Sequence, residues 1–295
     1  MQIGMTLPVM EPDLGPGVLE AWARTIDEGP FSSLCFGERM AFDNPDALTL
    51  LGAVAAWTRR VRLITTVVVP QLHEPVPLAK ALATGDVLSG GRLTVGLGVG
   101  GRDEDYRAAS ADLGTRTIAQ LGERADVLRR VWRGERVVDA VLPVGPPPVQ
   151  PGGPPLLVGT TGPKTLRAAA SWAHGLAGVS LDLDLDAMRA LFGVAREAWA
   201  EAGRAAPHLA TSTWFALDDG DGSARAQVHQ HLRHYMNWLP TGLVDALAAR
   251  AGFAGTVQEL ADLLMRVEDA GADELHLIPT SQDPVQLERV ADLLR

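Results

Sequence analysis

Short apolar runs alternate along this chain with longer stretches whose apolar residues recur at helical spacing. An unbroken β-branched run or a period of two marks a strand, and a period near 3.6 marks an amphipathic helix. Strands are therefore expected at 3–8, 33–37, 61–69, 93–99, 156–159, 175–179, 209–217 and 274–279. Helices are expected at 16–28, 45–58, 75–88, 116–132, 163–173, 186–202, 223–236, 243–250, 256–270 and 284–294, with a further helix starting at the acidic turn 103–105. Local punctuation agrees: Gly15-Pro16 and Asn44-Pro45-Asp46 open helices, and Gly29-Pro30 closes one. The run 61–69 is too long and too apolar for an edge strand.

Eight strand–helix units in alternation imply a parallel sheet with helices outside it. With 295 residues, an α/β fold of the closed (β/α)8 TIM-barrel type is favoured over an open doubly wound sheet. The Pro/Gly-rich stretch 142–155 could be a linker. Because the alternation resumes beyond it, it reads as a surface excursion between strands four and five, and 1–295 reads as one barrel domain. Chemistry in such a barrel sits in the loops that follow strand ends.

Gly96, Gly98 and Gly100 space the fourth strand so that something can come very close to its backbone. Gly96 to Gly101 fits G-x-G-x-x-G, but a dinucleotide fold also needs an acidic residue about 20 residues on, at the next strand end. Glu123 and Asp126 fall inside a helix instead. A tight structural strand and a barrel wall that admits a flat cofactor are the other readings. Gly159-Thr-Thr-Gly-Pro-Lys-Thr165 opens the next helix. Helix N–H groups, the hydroxyls of Thr160 and Thr161, and Lys164 would together cradle a phosphate. An ordinary N-cap is the alternative. A lysine there faces the positive end of the helix dipole, and a bound anion would remove that conflict.

Glu38 and Arg39 end the second strand, where they could polarise or protonate a substrate, or form a surface ion pair with each other. Thr65 and Thr66 lie mid-strand, where the default is a hydroxyl satisfied on backbone carbonyls. His73, after the third strand, would line the mouth. Trp214 and Phe215 suit barrel packing, and Tyr235, Met236 and Trp238 suit a lid or a dimer surface. His229, His231 and His234 read as a solvated helix face, and no metal is expected, since His229 points away from the other two.

Composition narrows the classes. A net charge of -10 without a basic run argues against nucleic acid or an anionic membrane as partner. The sole cysteine, Cys35, rules out an intrachain disulfide and suits a reducing cytoplasm. Residues 1–8 carry neither a basic n-region nor a long apolar run, so neither a signal peptide nor a membrane span is expected. Lysine occurs only at Lys80 and Lys164, which singles out the second.

The blocks His73-Glu-Pro-Val76, Ala79 to Tyr106 (with Ser89-Gly-Gly-Arg92 at its centre), Leu156 to Ala170 and Glu274 to Pro279 closely resemble the bacterial-luciferase-like family. Within it they are most similar to actinobacterial enzymes that depend on the deazaflavin coenzyme F420. The resemblance implies the (β/α)8 barrel and reduced F420, or alternatively FMN. It implies a cofactor phosphate between Gly98-Val99-Gly100-Gly101 and the loop of Gly159, Thr160, Thr161, Gly162, Lys164 and Thr165. A non-prolyl cis peptide in the third strand, behind the ring, would by position join Thr65 to Thr66. Where many relatives carry a histidine, this chain has Arg39. A guanidinium stays protonated, so it can hold a carboxylate or stabilise a reduced ring, and acid–base work falls to Glu38 or to the substrate. His73, Trp214 and Trp238 are the substrate-side candidates. The implied function is hydride transfer between F420 and a small imine, activated alkene, carbonyl or alcohol. FMN-dependent monooxygenation and flavin binding without turnover are the alternatives, and the family's habit suggests a homodimer.

Overall fold

Parallel strands hydrogen-bond around a closed ring in the computed structural model, which describes residues 1–15 and 17–295. They are β1 (Gln2–Thr6), β2 (Ser33–Phe36), β3 (Arg62–Val68), β4 (Leu93–Leu97), β5 (Leu156–Val158), β6 (Gly175–Ala177), β7 (His208–Leu217), β8 (Phe253–Gly255) and β9 (Glu274–Pro279). The order β6-β5-β4-β3-β2-β1-β9-β7 is closed by pairing of β6 with β7, which makes an eight-stranded barrel. The short β8 was not anticipated. It pairs with Phe215, Ala216 and Leu217, at the C-terminal end of the ten-residue β7. Three residues are too few for a periodic signal, and the pairing exists because β7 is much longer than its barrel neighbour β6.

The helices are α1 (Val18–Glu28), α2 (Ala47–Trp57), α3 (Pro75–Ser89), α4 (Asp103–Ala108), α5 (Ile118–Trp132), α6 (Pro163–Ala169), α7 (Leu185–Glu201), α8 (Ser223–Tyr235), α9 (Thr241–Ala248), α10 (Val257–Asp269) and α11 (Pro284–Leu294). The expected start of α1 at Pro16 lies outside the described residues. Asp46 caps α2 by accepting from the Thr49 amide, and Thr256 with Glu259 forms a capping box on α10. The main core packs helix faces on the barrel, and a second cluster joins Trp214 and Ala216 of β7 to α8 and α9. That second cluster seats α8 beside the C-terminal end of β7. Among the described residues no helix is long and apolar enough to cross a membrane.

Ser89-Gly90-Gly91-Arg92 is a fastening at the N-terminal end of β4. Gly90 and Gly91 take φ of 67° and 83° and end α3. Arg92 then donates to the carbonyls of Ser89, Val61, Ala55 and Thr58 and to the Thr58 hydroxyl. Asp86 accepts from the Val149 and Gln150 amides and the Gln150 side chain. These bonds tie the Pro/Gly-rich excursion onto α3, as expected of a surface excursion and not of a linker.

The non-prolyl cis peptide lies between Thr66 and Val67, one bond later than the expected Thr65–Thr66. The Thr65 hydroxyl donates to the Gly96 carbonyl (3.0 Å) and accepts from the Gly96 amide (2.9 Å). Those bonds hold Thr65 in register with β4, and the register shifts only between Thr65 and Val68.

Candidate active site

A cavity of about 280 Å³ opens at the C-terminal mouth of the barrel. The segment after β1, the ends of β2, β3, β4, β6, β7 and β9, and α8 all contribute to its wall. Thr66, Trp214 and Trp238 line it, so three candidates from distant parts of the chain meet there.

Glu38 and His73 also meet, just outside that lining. The Glu38 Oε1 atom lies 2.6 Å from His73 Nε2, and its Oε2 accepts from the Val69 amide at 2.8 Å. Both carboxylate oxygens are thus engaged, in a side chain that is only 1% exposed. Arg39 does not pair with Glu38. Its Nε donates to Asp105 at 2.8 Å and its Nη2 to Glu104 at 3.4 Å. The guanidinium also covers the rings of Phe42 and Trp238, at 4.8 and 5.4 Å. Burial and the charge of Arg102 lower its pKa from the ordinary value, opposed by Asp105. Its Nη1 is buried without a hydrogen-bond partner among the described residues. Asp105 further accepts from the amides of Met40 and Ala41. The acidic turn of α4 therefore anchors the β2 loop as well as opening a helix.

The glycines of β4 answer first to β3. A side chain at Gly96 would begin 2.2 Å from the Thr65 carbonyl oxygen. One at Gly98 would meet a Val67 methyl at 2.7 Å, and one at Gly159 the other Val67 methyl at 2.6 Å. At Gly96, Gly98 and Gly159 the group that approaches the backbone closely is the neighbouring strand, as in the reading of a tight structural strand. Gly100 takes a φ of 68°, beside Val69. Gly101 faces open space, with no described atom within 4 Å of a built side chain. In the adjoining loop, Thr160 accepts from the Gly162 amide, and Thr161 and Lys164 are exposed. Gly162 precedes α6, and no side chain among the described residues caps that helix. Its first amides are left for another acceptor. A second, mostly apolar cavity of about 460 Å³ runs from Thr161 and Pro163 along α7, and Val179 borders both cavities.

Two cavity residues were missed. Arg102 follows the Gly100-Gly101 turn and lies over Trp238 (3.7 Å) and Tyr235 (4.8 Å). Its Nε is buried without a partner among the described residues. Its place at a strand end was the available signal. His231 does not lie on a solvated face: its side chain is 2% exposed and its Nδ1 bonds Glu11. The signal was its spacing from Ala224, Val228 and Tyr235, the inward stripe of α8. His229 instead pairs with Asp245 (2.8 Å) and His234 lies 3.5 Å from Asp43, so the three histidines serve three carboxylates. Among the described residues no group of three or more His, Cys, Asp or Glu side chains is arranged to hold a metal ion.

A parallel (β/α)8 barrel with a largely apolar cavity at its strand ends belongs to the class of barrels that bind small molecules or cofactors at that face. The sequence model of the luciferase-like monooxygenase family matches residues 4–274, and this chain belongs to that family. An uncharacterised protein of Mycobacterium tuberculosis is 36% identical over 167 residues, 54% of this chain and 57% of that protein. An F420-dependent glucose-6-phosphate dehydrogenase of Beutenbergia cavernae is 36% identical over 146 residues, 44% of this chain and 41% of its own. The matches thus span about half the length of these relatives. Among solved structures, the monooxygenase RslO1 of Streptomyces bottropensis superposes with a TM-score of 0.80 at 25% identity, covering 100% of this chain and 97% of its own. An F420-dependent secondary alcohol dehydrogenase in complex with an F420-acetone adduct has the same fold, with a TM-score of 0.80 at 17% identity over 100% and 99% of the two chains.

Proposed function

We propose that this protein is an oxidoreductase that holds coenzyme F420 and passes a hydride between it and a small organic substrate. The observation that carries the reading is the mouth cavity, which shares Val179 with a second cavity that reaches Thr161 and Pro163 at the uncapped start of α6. Phosphate on the cofactor tail would be held by Gly98 to Gly101 and by Gly159, Thr160, Thr161, Gly162, Lys164 and Thr165. Thr65 and Thr66 would back the ring. The deazaflavin supplies or accepts the hydride at its ring carbon, and the protein orients the partners and excludes water. Glu38 with His73 is a proton-holding pair beside the mouth, and Arg39 offers its unpartnered Nη1 to negative charge. Trp214 and Trp238 line the cavity that would take an imine, activated alkene, carbonyl or alcohol. FMN-dependent monooxygenation is the second reading; its monooxygenase part is supported by the likeness to the monooxygenase RslO1 along the whole chain. The enzyme is placed in the cytoplasm, where buried Cys35 stays reduced, and as a homodimer that light scattering would detect.

Fluorescence titration of the purified protein with F420, FMN and NAD(P) tests the cofactor. A micromolar dissociation constant for F420 is expected, and tight nicotinamide binding without flavin or deazaflavin binding overturns the reading. Lys164→Ala should weaken F420 binding by about 1–3 kcal/mol, and an unchanged constant would make the lysine a surface residue only.

A further inference from the structure

His231 carries a nitrogen that the fold leaves unused, in a side chain that lines the mouth cavity. The residue lines the mouth cavity, on the inward stripe of α8. Its ring stacks on Tyr235 at 5.8 Å and 15°, and Trp214 lies 6.5 Å away. Glu11, from the segment between β1 and α1, takes Nδ1. Nε2 is buried and has no hydrogen-bond partner among the described residues. A buried polar atom left unpaired is destabilising. A ligand that hydrogen-bonds to it in the cavity would recover that cost.

The alternatives for this nitrogen are weaker. Metal binding lacks a second ligand, because His229 and His234 turn to Asp245 and Asp43. A purely structural pair with Glu11 would not need the ring to border a cavity. The geometry points to His231 as the proton donor and acceptor for the substrate oxygen, with Glu11 as the residue that positions its ring. The substrate class that fits is a small carbonyl compound and its alcohol, with a flat apolar body against Trp214 and Trp238.

This assignment rests on the hydride-transfer reading given above. In the reducing direction the carbonyl carbon gains the hydride supplied by reduced F420, and the C–O π bond breaks toward oxygen. That oxygen takes the proton from Nε2 of the imidazolium, which leaves alcohol, oxidised cofactor and neutral imidazole. In the reverse direction neutral Nε2 accepts the hydroxyl proton as the carbinol carbon loses its hydride to oxidised F420. Imidazole suits both roles because the same ring nitrogen can donate a proton or accept one. The Glu11 carboxylate from the segment after β1 bonds the ring, the Tyr235 ring from its own helix stacks on it, and Arg102 from the β4 end lines the same cavity, over Tyr235 and Trp238. Glu38, which pairs with His73, is not part of this set.

The test compares wild type, His231→Asn, Glu11→Gln and Glu11→Asp. F420 titration comes first. His231→Asn should bind the cofactor within about twofold of wild type, and a wild type that binds no F420 overturns the hydride-transfer reading and this assignment with it. Nitrogen-15 NMR of histidine-labelled protein comes second, with acetone, benzaldehyde and benzyl alcohol as probes. One Nε2 resonance, absent in His231→Asn, should shift when a probe is added. Turnover of the same probes comes third. His231→Asn should lose about 10²–10⁴-fold in kcat with little change in KM, and lose the limb of its pH–rate profile that reports an imidazole. Glu11→Gln should lower kcat in the same sense, and Glu11→Asp should recover part of it. Cofactor binding retained, with no probe shifting the resonance and none turned over faster by wild type than by His231→Asn, overturns the assignment and leaves the cofactor reading standing.

Discussion

Val67 leaves β3 at the barrel mouth with its two methyl groups where side chains on Gly98 and Gly159 would begin, 2.7 and 2.6 Å away. Gly96 lies still closer to β3, and there the obstacle is a backbone oxygen at 2.2 Å that no rotamer change can move. Gly96→Ala should therefore destabilise the fold by about 1–3 kcal/mol, read from the midpoint of urea unfolding. An unchanged midpoint would show that β3 and β4 separate without cost. The glycine spacing alone announced a close approach. It could not say what approaches, because the neighbour at Gly96 is a residue 31 positions away on another strand. His231 is the converse case. Its helical spacing placed it on the inward stripe of α8, but three nearby histidines looked like one surface feature until each was seen beside its own carboxylate.

Among the elements, Ser89-Gly-Gly-Arg92 lies at the N-terminal end of β4, away from the mouth cavity. Arg92 secures the N-terminal end of β4 to α2 and β3, and Asp86 secures the excursion to α3. Asp86→Ala should release residues 149–150, so that limited proteolysis cuts within 136–152 several times faster than in wild type. Equal cleavage rates would show that other packing holds the excursion. The site is assembled from short segments at the opposite end of the same strands. α4 is one of them: Asp105 accepts from Arg39, Met40 and Ala41 and so links the β4 and β2 loops. Its acidic turn was legible as a helix start, while its bonds to a loop 64 to 66 residues away were not.

Across the whole molecule, a charged cluster fills the end of the barrel opposite the cavity. Glu274 accepts from Ser32, Ser33, Arg62 and His208, and His276 lies 3.6 Å away. Burial works to raise the Glu274 pKa, but His208, His276 and Arg62 outweigh it and hold the carboxyl well below its ordinary 4.5. Burial works to lower the pKa of His276, but the Cys35 sulfur and Glu274 outweigh it and push it up to about 10, from 6.5. A raised folded-state value means that the His276 contribution is complete below pH 6.5 and is lost as pH climbs toward 10. A depressed one means that the Glu274 contribution is present above pH 4.5 and fades as pH falls below it. Chemical unfolding at a series of pH values should therefore show greatest stability between 4.5 and 6.5, with a decline above that range that His276→Gln flattens. A wild-type profile that is level from pH 6.5 to 10 would overturn the assignment of charge to His276.

Local pattern was enough for the strand–helix alternation, for the barrel that eight such units close, and for the Asp46 cap of α2. Each of these depends on residues within a turn or a strand of one another, and their physics is complete at that range. Closure of the barrel settled the rest. Glu38 finds His73 at a separation of 35 residues, Arg39 finds Asp105 at 66, and His231 finds Glu11 at 220. Which carboxylate meets which cation depends on strand order and on the side to which each side chain points. Neither is written in the spacing of a single segment. The cavity follows from the same closure: it lies where seven strand ends converge, and its chemistry comes from side chains that no local motif holds together.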